Sequence, residues 1–230
     1  MINITSIHVE DIRFPTSKDL TGSDVIHTDP DYSVTYVTIN TSEPKLKGFG
    51  IAFTIGKGND IVAECIRNYI PIFDGLSIQE VEKNIGNLWF DCVDHSQLRW
   101  LGPEKGVVHM AIAALFNALW DLISKKYKKP LWKFVVESDP ETIMSWLTFK
   151  YIEDVMTKDD AYKILTENQK FKKERINLIL KEGYSSYTTA AGWLGYSNEK
   201  IVDLCKQYME KGWKHFKIKV GINLEQDVKR

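Results

Sequence analysis

Cysteine is scarce in this chain of 230 residues. Cys65, Cys92 and Cys205 lie far apart and cannot all pair, which excludes a disulfide-stapled miniprotein and favours a reducing compartment. Their spacing makes no zinc motif. A surplus of one charge is missing too: 30 basic residues stand against 31 acidic ones, a net of -1, so there is no electrostatic footprint for nucleic acid. Long hydrophobic runs are few. The longest, 107–123, is broken by His109, Asn117 and Asp121, which suits a buried helix and not a membrane partner. The opening residues, 1–6, lack a basic region followed by an apolar one and are not Arg-rich, so neither a signal nor a transit peptide is expected. What is present is core material: 43% hydrophobic and 12% aromatic residues exclude disorder and collagen.

The first sixty residues read as strands joined by polar turns. Ile2, Ile4 and Ile7 open one segment, 32–39 alternates Val and Tyr with Ser and Thr, and 48–55 ends at a Gly56-to-Gly58 turn. A small antiparallel sheet is expected, with a polar loop over 15–30 long enough to be functional or mobile. Helical spacing follows: Ile61, Cys65 and Ile66 mark one helix, 77–89 a second, and Val108, Ala111, Leu115, Ala118 and Leu122 one face of a third. Lysines at 125–129 and Pro130 close it. Residues 1–140 are thus expected to form an α+β domain.

A second regime is expected over 141–230. Residues 142–151 read as a strand, Thr157 to Asp160 as a capping box opening a helix, and 172–181 as a helix stopped by Gly183. Ser197 caps a helix whose apolar face is Ile201, Leu204, Cys205 and Tyr208, with Gly212 at its end, and 213–220 follows as a strand. This order predicts the opening of a parallel α/β barrel. A whole barrel needs roughly 250 residues, so only its first two strands and helices are expected and the barrel stays incomplete within this chain.

The most informative segment is HFKIKVG at 215–221. In a strand, Phe216, Ile218 and Val220 share one face, and His215, Lys217 and Lys219 the other. In a lone sheet these lysines would be ordinary surface charge. In a barrel the apolar face meets the surrounding helices, so the lysines point inward at the catalytic rim. Same-face neighbours stand roughly 6.5 Å apart, and their repulsion at an effective dielectric near 20 is about 2.5 kcal/mol. That alone does not make a lysine a base at neutral pH, so a nearby cation or desolvation has to add to it. His109 reads as structural, His95 beside Asp94 as a loop pair, Trp193 as lining a site or packing, and Gly56 to Gly58 as a turn.

Longer strings carry a resemblance: DIRFPTS at 11–17, GSD at 22–24, DPDYS at 29–33, SQLRWLGPEKG at 96–106 and YTTAAGWLGYS at 187–197. With the KIK of 217–219 they resemble the enolase superfamily, in its mandelate-racemase-like subgroup of acid-sugar dehydratases, and within that the L-fuconate dehydratases. The resemblance implies that residues 1–140 are a capping domain and 141–230 the start of a (β/α)7β barrel. It implies Lys219 as the base that removes the proton α to the carboxylate, and Lys217 as the group that binds the carboxylate and stabilises the enediolate. Gly22, Ser23, Asp24 and Tyr32 would contact the sugar acid from the capping loop. The cofactor it implies is Mg2+, held in the family by one Asp and two Glu, with a His as acid; all four are expected beyond Arg230 and no metal ligand within this chain. Glu153, Asp154, Asp159 and Asp160 are not expected to replace them.

The implied reaction is L-fuconate to 2-dehydro-3-deoxy-L-fuconate and water, with a small acid sugar as partner and a homo-oligomer left open. Without the metal ligands the chain alone is expected to be inactive, a fragment with an unpaired strand edge. A non-catalytic binding or regulatory product, and a dehydratase or racemase for another acid sugar, stay as alternatives. The animal relatives suggest mitochondria; the missing transit signal leaves the cytosol open.

Overall fold

The computed structural model describes residues 1–102 and 106–230. Part of the 96–106 string, residues 103–105, therefore lies outside the described residues. Strands β1 (Ile4–Arg13), β2 (Ser33–Thr41) and β3 (Gly48–Thr54) form one sheet in the order β1-β2-β3. Ser42 N donates to Asn3 O at 2.8 Å and Phe14 N to Tyr32 O at 2.8 Å, so β1 and β2 run antiparallel as expected. Burial alternates with the strand period along β2, where Ser33, Thr35, Val37, Ile39 and Thr41 are buried and the residues between them are not.

The chain divides into two compact units. One comprises Met1–Asp11, Thr35–Ala52 and Gly58–Gly183; the other Ile12–Val34, Phe53–Lys57 and Tyr184–Arg230. The first holds helices α1 (Asn59–Phe73), α2 (Ile78–Val93), α3 (Val107–Lys126), α4 (Leu131–Glu137), α5 (Pro140–Trp146), α6 (Lys158–Asn168) and α7 (Lys172–Glu182). Its core is built on α3, whose Val108, Ile112, Leu115, Leu119 and Leu122 are fully buried among Val62, Ile66 and Phe73 of α1, Ile78 and Val81 of α2, and Val37 and Ile39 of β2. Each such side chain contributes about 1.5–3 kcal/mol by leaving water. That accounts for the long apolar run: it is a core helix.

Local chemistry fixes the helix ends. Ser77 Oγ accepts from Glu80 N at 3.2 Å while the Glu80 carboxylate accepts from Ser77 N at 2.8 Å, a reciprocal box that satisfies two free amides at the start of α2. Thr157 and Asp160 do the same for α6, as the sequence predicts. Lys125 and Lys126 sit in the last turn of α3, at the negative end of its dipole.

The second unit contains α8 (Asn198–Glu210) and α9 (Leu224–Lys229). Ser197 caps α8 by accepting from Lys200 N at 3.2 Å. On either side of α8 the chain returns parallel to itself, with a bridge between Thr188 and Phe216. Thr188 N donates to His215 O (3.0 Å), Lys217 N to Thr188 O (2.9 Å) and Lys219 N to Gly192 O (2.8 Å). This is a β-α-β unit in outline, the opening move of a parallel barrel.

Two expectations need correction. Residues 142–151 are not a strand: 140–146 are helical, because the Asp139 carboxylate accepts from Thr142 N at 2.7 Å and Pro140 is preset for a first helical turn. The β-branched Thr142 and Ile143 supplied the strand signal, and the cap overrides it. The partner of Phe216 is accordingly Thr188, and 213–220, expected as a strand, pairs through a single bridge in place of a full ladder.

Candidate active site

Gly22, Ser23, Asp24, Tyr32, Lys217 and Lys219 all fall in the second unit, whereas Asp94, His95 and His109 lie in the first. Three backbone hydrogen bonds tie 215–219 to Thr188 and Gly192. Lys219 Nζ lies 3.5 Å from Asp24 Oδ2, with both side chains about one-quarter exposed. Lys217 Nζ lies 5.8 Å from the centre of the Tyr187 ring, a cation–π arrangement.

The loop that brings Asp24 there is tied down at several points. Thr16 Oγ1 donates to Pro30 O at 2.8 Å and accepts from Tyr32 N at 2.9 Å, and Ser17 N donates to Asp31 Oδ1 at 3.1 Å. Gly22 has a φ of 89°, and the face of its Cα is covered by Tyr32: a Cβ there would stand 2.3 Å from Tyr32 Cε1. Only glycine meets both conditions. The Tyr32 ring is in turn set edge-on to Phe53 (5.0 Å) and Trp193 (6.1 Å). Burial first, then the charges of Asp24 and Tyr196, pushes its phenol above the ordinary value.

Ser23 is buried, 2% exposed, and its hydroxyl is fully used. It donates to Leu20 O at 2.7 Å and accepts from Gly195 N at 2.9 Å, while Leu194 N donates to Ser23 O at 3.1 Å. Its geometry is that of a staple between the loop and the 192–196 turn. Asp24 differs. Its Oδ1 accepts from His27 N (2.8 Å), Ile26 N (3.0 Å) and the His27 imidazole (3.2 Å), leaving Oδ2 for Lys219. The His27 amide foremost, opposed by the cost of burial and helped by the Ile26 amide and the His27 charge, brings the Asp24 carboxyl down to about 2.

The site therefore joins Asp24 to Lys219 directly, places Tyr32 over Gly22, and leaves Lys217 beside Tyr187. Residues that the sequence reading did not single out complete the frame. The hydroxyls of Thr21 and Tyr196 share a hydrogen bond of 2.6 Å, and Arg230 donates to the carbonyls of Trp193 and Tyr196. Next to Asp24 lies a cavity of about 450 Å³ lined by Ser23, Asp24, Val25, Thr28, Leu194, Gly195, Gly221 and Ile222. An amine, a fixed carboxylate and a hollow of this size can hold a small polyhydroxy acid and move one of its protons.

The donor set does not fit Mg2+. That ion takes near-octahedral oxygen ligands, whereas Asp24 is one carboxylate already engaged by three donors and a lysine. Among the described residues, no three His, Cys, Asp or Glu side chains gather where they could hold a metal.

No family model matches the chain. It is 44% identical over 228 residues to human mitochondrial enolase superfamily member 1. It superposes on the crystal structure of that protein with a TM-score of 0.94, covering 99% of this chain and 52% of the human one. L-galactonate dehydratase of Hypocrea jecorina is 40% identical over 230 residues, which is 100% of this chain and 51% of that protein. L-talarate/galactarate dehydratase of Salmonella typhimurium LT2, solved with Mg and L-lyxarohydroxamate, shares the fold at 13% identity, with a TM-score of 0.66 over 99% of this chain and 47% of that one. The chain spans about half the length of the curated relatives it matches. With the α+β unit, the β-α-β opening and this likeness over nearly every residue, the chain belongs to the enolase superfamily.

Proposed function

We propose that this chain supplies the base and the capping loop of an acid-sugar dehydratase acting on L-fuconate. The observation that carries the reading is the 3.5 Å approach of Lys219 Nζ to Asp24 Oδ2, which sets the lysine of the KIK segment against the GSD loop. The dehydratase name of the Hypocrea relative supports the reaction class.

In this reading the neutral amine of Lys219 takes the proton from C2 of the sugar acid, and the C2–H electron pair moves into the carboxylate to form an enediolate. The Lys217 ammonium binds that carboxylate and offsets the charge that builds on it. The 3-hydroxyl then leaves as water with a proton from an acid that this set of residues does not include, and the enol becomes the 2-keto product. Asp24 exchanges its ion pair with Lys219 for hydrogen bonds to substrate hydroxyls. Tyr32 and Gly22 hold the loop closed over the sugar and exclude water. Because the donors on hand do not fit Mg2+, no step is assigned to it; the metal-bound neighbour supports Mg2+ only for the family. The name of the human relative is the ground for placing the protein in mitochondria.

The test uses the gene product that carries these 230 residues, with Mg2+ and L-fuconate, and follows release of 2-keto acid. Lys219→Ala should abolish turnover, and Lys217→Ala should raise KM as well as lower kcat. Unchanged turnover in Lys219→Ala removes the proposed base. Release from L-galactonate but not from L-fuconate keeps the chemistry and replaces the substrate.

A further inference from the structure

Helices α4 to α7 of the first unit do not close on one another. Val135 and Val136 of α4, Ile143 of α5, Leu165 of α6, and Ile176 and Ile179 of α7 line a common cavity of about 380 Å³. None of the six is fully buried, and α7 has no buried residue at all. That helix is held at its start by polar struts: Lys172 Nζ donates to Ser138 O at 3.3 Å, and the Arg175 guanidinium donates to Asn168 O at 2.6 Å and to Asn168 Oδ1 at 3.2 Å. Interiors normally close to crystal-like density, so hydrocarbon side chains from four helices around one void mark space for an apolar guest.

The charged and amide side chains of the cavity come from one stretch. Asn168, Gln169, Lys172 and Arg175 supply them, and 169–175 holds four cations, Lys170, Lys172, Lys173 and Arg175, against the single acid Glu174. Glu137, the one acid of α4, is already taken by Lys129 at 2.6 Å and Lys133 at 3.8 Å. Among the described residues no carboxylate forms an ion pair with Lys172 or Arg175. We propose that the cavity binds a medium-chain monocarboxylate, with its hydrocarbon chain among Val136, Ile143, Leu165 and Ile179 and its carboxylate at Lys172 and Arg175. The size agrees: at roughly 30 Å³ for a water-sized group, the void takes on the order of ten methylenes. The Arg175 guanidinium keeps N–H groups beyond those bonded to Asn168, and with the Lys172 ammonium it offers a carboxylate charge-assisted hydrogen bonds that a neutral head group does not receive in full. All of these residues lie within Gly58–Gly183, so the proposal stands apart from the acid-sugar reading.

The test is calorimetric titration of the 230-residue chain with octanoate, and with octanol as its uncharged counterpart. The expected result is one octanoate per chain, with octanol weaker by roughly tenfold or more. Replacing both cations, Lys172→Gln with Arg175→Gln, should bring octanoate down to the affinity of octanol and leave octanol unchanged. Arg175→Lys keeps the charge and should retain most of the octanoate affinity, which separates the charge from the strut to Asn168. Ile179→Phe fills the chamber and should weaken both ligands by roughly tenfold or more. Equal affinity for octanoate and octanol overturns the proposal, as does octanoate binding that Ile179→Phe leaves unchanged. No octanoate bound at millimolar concentration overturns it outright.

Discussion

Helix α3 and the 215–222 segment both carry regularly spaced apolar residues and use them in opposite ways. In α3, Val108, Ile112, Leu115, Leu119 and Leu122 are buried almost completely within the hydrophobic core. In the lysine segment Phe216 and Ile218 are half-covered, Val220 and Ile222 are half-exposed, and one bridge with its flanking hydrogen bonds does the holding. The first region is stabilised by hydrophobic transfer, which is non-directional and tolerates no cavity. The second is stabilised by directed hydrogen bonds with Thr188 and Gly192, which place chemical groups at the cost of local stability. Stability and chemistry thus reside in different units of one chain.

The sharpest way to break this contrast is to damage the core and ask whether its own reporters respond. Leu115→Ala should cost about 2–5 kcal/mol by leaving a cavity at the centre of α3. Cys65 and Cys92 report on this unit: both are buried, burial pushes the Cys65 thiol up, and burial brings the Cys92 thiol to about 12. Neither should react with an alkylating agent in the natural protein, and both should do so in Leu115→Ala well before Cys205 changes its rate. If the variant unfolds at the same denaturant concentration as the natural chain, α3 is not the keystone described here.

A smaller effect is expected from the loop. Gly22→Ala forces a side chain into a left-handed φ and against the Tyr32 ring, a strain of roughly 1–3 kcal/mol. It should be absorbed locally, so hydrogen exchange at the amides of Leu194 and Gly195, which donate to Ser23, should speed up by tenfold or more. The protection of Cys92 should not move. Equal loosening of both regions would show that the two units unfold as one.

How much of this was legible in the sequence depends on the distance over which each signal acts. Caps act over three residues, and those at Thr157 and Ser197, with the stop at Gly183, were readable because the residues that satisfy the free amides are the ones that end the pattern. The apolar face of α3 was readable from its period. The helix at 140–146 was missed although Asp139 and Pro140 announce it, since β-branched residues outweighed a two-residue cap. The pairing of Thr188 with Phe216 and the staple from Ser23 to Gly195, 172 positions apart, leave no periodic mark at all. The residue strings pointed to Asp24 and Lys219 separately; only the fold sets one against the other.

The smallest and most local effect concerns pH. Asp24 is held at about 2 in the folded chain, below its ordinary 3.8, because the His27 amide and then the Ile26 amide and His27 charge favour the carboxylate over the acid despite the cost of burial. A carboxyl whose folded value lies below its unfolded value binds protons more readily when unfolded. Its contribution is therefore complete above about pH 4 and fades as the pH falls through 2. The His27 amide, which donates to Asp24 Oδ1, should titrate by NMR with a midpoint near 2, and Asp24→Asn should remove that titration while leaving the acid response of the α3 core unchanged. A midpoint near 3.8 would mean that the turn does not grip the carboxylate. The loop would then be fixed by the bonds of Thr16, Ser17, Thr21 and Ser23 without help from Asp24, whose second oxygen would lose the orientation that sets it against Lys219.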